Sequence, residues 1–147
     1  MQATAPVRIA TTLLWALVGI GVLRTILTFA LFDSLLDAYV DRQGDTGLAR
    51  EVVEDGAPAY RSVALVSGLL FAALLAAAAL GVSQGRNWAR ILGIVLCVLV
   101  AFGGLILAIQ PAPIIFPLLG LVNAAVAIAA VVLLAKSEVR TWCKRRR

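Results

Sequence analysis

Residues 91–135 contain no Asp, Glu, Lys or Arg. As one helix, this 45-residue run would reach ~67 Å, more than twice the ~30 Å hydrocarbon core of a bilayer. The run must therefore fold back on itself. Gln110-Pro111-Ala112-Pro113 is the obvious reversal, because Pro ends one helix and can open the next. Two further apolar stretches precede it, one near residues 9–32, interrupted by Arg24, and an uncharged one from 62 to 85. Hydrophobic residues make up 62% of the 147 and charged residues 14%, too apolar a balance for a soluble domain of this size to bury. Lipid offers a backbone no partner outside its own helix, so each span must be α-helical. The predicted fold is an all-α four-helix transmembrane bundle with spans at 9–32, 62–83, 89–109 and 114–135. An outer loop at 33–61 carries short helical segments, and a basic tail occupies 136–147.

Lys and Arg orient the bundle. Arg8, Arg86, Arg90 and six residues of the 136–147 tail give nine positive charges on one side, against Arg42, Arg50 and Arg61 on the other. The positive-inside rule then puts both termini in the cytoplasm. Trp15, Trp88 and Trp142 fall near the same predicted interface. The first apolar stretch is longer than a signal-peptide core and lacks a convincing cleavage site, so it reads as an uncleaved span.

Small residues recur at helical spacing. Span two has Ala64, Gly68, Ala72 and Ala76, with Ala73, Ala77 and Gly81 on an adjoining ridge, and span three has Ala89, Gly93, Cys97 and Ala101. Such ridges let helix backbones approach closely in lipid. Packing within the bundle is the simpler use for them, and a docking face for another subunit is the alternative.

Arg24 is the most informative residue. A charge at mid-span costs at least ~2.5–3.5 kcal/mol on insertion scales, so a partner or a water route is expected. Arg24 and Asn123 lie at the same depth, ~12–13 Å below the outer boundary. Ser67 shares that outer half, as do Thr25 and Thr28, and Gly103-Gly104 would leave room there for a bulky side chain. Arg24, Asn123 and Ser67 are thus predicted to form a polar cluster. It would serve either as a site for an anionic group or as a structural contact in which Arg24 snorkels outward and bonds to Asn123. No acid lies within the spans to balance Arg24.

The outer loop has seven acids and three Arg. If span one continues as a helix, Asp33, Asp37 and Asp41 line one outer acidic face, which reads as a solvated surface or a seat for a basic partner. A short helix at about 46–55 is expected, capped by Thr46 and ended by Gly56. Lys144, Arg145, Arg146 and Arg147 form a juxtamembrane cluster suited to anionic lipid headgroups. The chain has no His, and its two cysteines, Cys97 and Cys143, should lie at different depths. No disulfide, metal site or cofactor is therefore expected, and no nucleic-acid partner.

The run Gly85-Arg86-Asn87-Trp88-Ala89-Arg90 resembles the start of a span in small four-span inner-membrane proteins of GC-rich bacteria. That resemblance implies a multi-pass inner-membrane protein and no particular activity. Its residues also read directly: Asn87 can cap a helix, Trp88 sits at the interface, and the two Arg hold the loop inside. With neither His nor paired intramembrane carboxylates, the chain lacks an acid–base pair. The functional expectation is a non-catalytic accessory or scaffold subunit, whose partners are membrane lipids and other membrane subunits or further copies of itself. The alternative is a small oligomeric transporter, or a lipid- or anion-handling protein, that uses Arg24.

Overall fold

The computed structural model describes residues 5–34, 37, 47–109 and 114–144. Five α-helices are described: α1 (Ala5–Ala30), α2 (Gly47–Ser83), α3 (Asn87–Ile109), α4 (Ile115–Ala135) and α5 (Ser137–Lys144). The first four each contain a segment long and apolar enough to cross a membrane, in α2 the 22 residues Ser62–Ser83. They mark the chain as an integral, multi-pass membrane protein.

Buried positions on α4 explain how the helices meet. Phe116, Gly120, Asn123, Ala127, Ala130 and Leu134 alternate spacings of three and four. That pattern keeps one seam facing its neighbours along the whole helix. Val7, Ala10, Leu14 and Leu17 do the same on α1, but only over its first half. The helices form a ring in which α1 packs on α2 and α4, and α3 packs on α2 and α4.

The turn between α2 and α3 fixes one end of this ring. Gly85 has φ 76°, which glycine adopts without the steric cost of a Cβ. The Arg86 amide donates to the Gly81 carbonyl (2.9 Å), and the Gly85 amide to that of Val82 (3.0 Å). This is a complete Schellman stop, so α2 ends there and α3 returns at once. At this Gly85 end a Cβ on Gly81 would collide with that of Ala89, and one on Gly93 would meet Leu134 at 3.2 Å. Of the small-residue ridges, Gly81, Ala89, Gly93 and Cys97 are buried inside the bundle. Ala73 and Ala77 face outward.

Helix α5 lies across this end. Its Val139 and Cys143 are fully buried against the core formed by Val7, Leu14, Val82 and Leu134, while Glu138 and Arg140 stay exposed. Cys97 and Cys143 are both buried free thiols.

Several expectations are corrected. The helix that carries the first span runs Ala5–Ala30, starting before residue 9 and ending before 32. Gly56 does not end a short helix, because α2 runs unbroken from Gly47 through Gly56 and Pro58 to Ser83. A Gly stops a helix only where nothing favourable follows. Here the helix is enforced by lipid from Ser62 onward, and helix propagates cooperatively back from it. Pro58 forgoes one backbone bond, and the Ser62 hydroxyl donates to the Pro58 carbonyl at 3.0 Å. Asn87 does not cap α3 either. It is the first helical residue, and its buried Oδ1 meets no donor. Thr46 and the Gln110–Pro113 reversal lie outside the described residues.

Candidate functional site

The stripe Leu17, Gly21, Arg24, Thr28 occupies one face of α1, with Thr25 beside it. Beyond Leu17 no residue of this stripe is buried. Here α1 and α2 stay together while the bundle opens, and the space left is a cavity of about 370 Å³ with walls from all four spans. Arg24, Ser67 and Asn123 all line it, together with Thr25, Thr28 and Gly103. Its inner wall is apolar, with Leu17, Phe71 and Leu75.

The two flanking contacts show why the space exists. On one side Gly68 lies against Thr25, where a Cβ would come 2.5 Å from the threonine hydroxyl. On the other, Gly104 and Gly120 seal the α3–α4 seam: a Cβ on either would reach the other's carbonyl oxygen at 2.6–2.7 Å. The expected room at Gly103-Gly104 is therefore split. Gly103 faces the cavity with nothing within 4 Å of its Cβ position, whereas Gly104 is committed to the seam.

Hydrogen-bond accounting decides what the cavity can hold. The Thr25 hydroxyl donates to the Gly21 carbonyl (3.0 Å), Thr28 to that of Arg24 (2.9 Å) and Ser67 to that of Ala64 (3.2 Å). All three hydroxyl protons are spent on their own helices. Among the described residues the Arg24 guanidinium makes no hydrogen bond or ion pair, and the Asn123 amide makes no hydrogen bond. The expected Arg24–Asn123 bond is not formed. Asn123 is only 8% exposed. The donors left free in the cavity are thus one guanidinium and one carboxamide, set above an apolar floor.

The polar groups at the Gly85 end behave differently. Arg90 is half-buried, and its Nη1 donates to the Leu134 carbonyl at 3.4 Å, meeting one of the carbonyls that α4 leaves open at its C-terminus. Burial pushes the Cys143 thiol up from its ordinary pKa, and the nearby Arg90 charge partly offsets this.

Of the other sequence-derived sites, Asp33 and Asp37 are both helical and exposed. Asp41 lies outside the described residues, as do Arg145, Arg146 and Arg147, while Lys144 closes α5. Sequence reasoning missed the apolar floor of Phe71 and Leu75. The signal was there in part: Leu17, Gly21, Arg24 and Thr28 share a helical stripe, but nothing local says that α2 continues it. No family model, curated protein or solved structure matches the chain.

Proposed function

We propose that this protein is a non-catalytic, lipid- or anion-handling protein of the bacterial inner membrane. Both termini are cytoplasmic, and it holds an anionic group at Arg24 in the outward half of the bundle. The supporting observation is the cavity whose unspent donors are Arg24 and Asn123. A guanidinium offers a planar fork to phosphate or carboxylate, and a carboxamide adds a neutral donor. A ligand that binds only the folded state raises its stability by mass action. Protein purified in zwitterionic detergent should therefore gain thermal stability on addition of inorganic phosphate or an anionic amphiphile. Arg24→Leu should lose that response, and Asn123→Leu should weaken it. Equal responses in wild type and Arg24→Leu would sink the reading.

Exposed Ala73 and Ala77 favour a second reading, an accessory subunit that packs a foreign helix on α2. It predicts a stoichiometric partner after purification in mild detergent, lost in Ala77→Phe. For the orientation, a cysteine at Asp45→Cys should be labelled by an impermeant thiol reagent on intact cells. Labelling only after lysis would invert it.

A further inference from the structure

The cavity has a neighbour on the lipid side of the same helix pair. Between α1 and α2 runs a groove of about 560 Å³, lined by Val22, Ile26 and Phe29 on one bank and Leu65 and Leu69 on the other. Every one of these side chains is apolar, and all five are exposed. Thr25 and Gly68 line both the groove and the Arg24 cavity. The contact of Thr25 against Gly68 therefore stands between the two spaces. At that point α2 offers no side chain.

We infer that the ligand of the Arg24 cavity is an anionic membrane amphiphile, held across this contact, and that a soluble anion is not the natural occupant. The inference rests on the anion reading of Arg24 and adds the source of the anion and its route. The head lies with Arg24 and Asn123, where the free donors are. The acyl chain lies in the α1–α2 groove, where the walls are apolar but for Thr25 and face the bilayer. Two observations support one molecule over two. The spaces share Thr25 and Gly68 as lining residues, and the polarity changes from charged to apolar between them, as it does along a lipid from head to chain. A soluble anion has no use for the groove. A zwitterionic lipid also carries a phosphate, but its own cation competes with the guanidinium for it, so a net anionic head matches Arg24 better.

The test places a fluorophore in the groove. Phe29→Trp protein is reconstituted in zwitterionic vesicles doped with a small, equal fraction of phosphatidylglycerol or phosphatidylcholine, each brominated on its acyl chains to quench tryptophan at short range. Phe102→Trp, at an exposed site on α3 away from both spaces, is the control for lipid that merely surrounds the protein. Quenching is read as the excess over the parent protein with its three native Trp. The anionic lipid should quench Trp at 29 about fivefold more effectively than the zwitterionic one, the enrichment expected from one basic group near a lipid head. The excess should be absent at 102 and should vanish when Arg24→Leu is added. Equal excess at 29 and 102 overturns the inference in favour of general surface attraction. No excess at 29, with Arg24-dependent stabilisation by inorganic phosphate intact, overturns the amphiphile and leaves the anion reading standing. Loss of both responses removes both. Unchanged helicity and gel-filtration behaviour of each variant separate these outcomes from misfolding.

Discussion

The two ends of the bundle are built from the same residue types and put them to opposite uses. At the Gly85 end, small residues are consumed by close packing: Gly81 on Ala89, Gly93 on Leu134, and α5 laid across with Val139 and Cys143 inside. At the Arg24 end, glycines clamp the two flanking seams, Gly68 on Thr25 and Gly104 on Gly120, and the space between stays open. A small residue in lipid thus does not mean a filled core. Where both partners in a contact are small the helices touch, and whatever lies between two such contacts is left hollow. At the Gly85 end Arg90 gives one bond to the Leu134 carbonyl, although its Nε and the Asn87 Oδ1 meet no partner, while among the described residues Arg24 at the other end gives none.

The comparison breaks first at the packed end. Leu14→Ala removes a fully buried side chain, and the cost should be about 2 kcal/mol or more, measured by detergent-titrated unfolding. Leu23→Ala, exposed on the outer half of the same helix, should cost almost nothing. Equal losses would mean that the ends do not differ. Gly120→Val should cost about 1–3 kcal/mol, because the atom it strikes is a backbone carbonyl that cannot rotate away.

Arg24→Leu should leave stability unchanged or raise it by up to about 1 kcal/mol, since a charge is removed from the span and no bond to a described residue is lost. A clear loss of stability would show that Arg24 is structural. Cys143 sharpens the contrast through pH. Its folded-state pKa lies above the unfolded one, so its contribution is fully present below a thiol's ordinary pKa of about 8.5 and declines as pH rises past it. Alkylation of Cys143 should be slow at neutral pH and accelerate on unfolding. The smallest effect belongs to Asn87→Ala. A working cap would be missed by about 1 kcal/mol, whereas an acceptor without a donor should be lost at no cost.

Span number and approximate limits were legible because charge-free length is a property of the sequence alone, and 91–135 can fit a bilayer only when folded in two. Arg24, Asn123 and Ser67 could be matched by depth, since rise per residue converts position to height. What depth does not carry is azimuth. Whether Gly103 or Gly104 faces inward depends on how α3 is rotated, and adjacent residues differ by about 100°. The course of α2 through Gly56 was hidden for another reason: the stop signals are local, and the lipid-enforced helix that overrides them begins several residues later.

Helix α2 runs 15 residues beyond its apolar span before reaching Gly47, about 22 Å of additional rod. Pro58 interrupts the backbone ladder just ahead of Ser62, where the apolar span begins. The helix bends most readily at that break. A load on the 47–57 segment would therefore be relieved first at Pro58, where one rung of the ladder is missing, before it reached the Thr25–Gly68 contact inside the span.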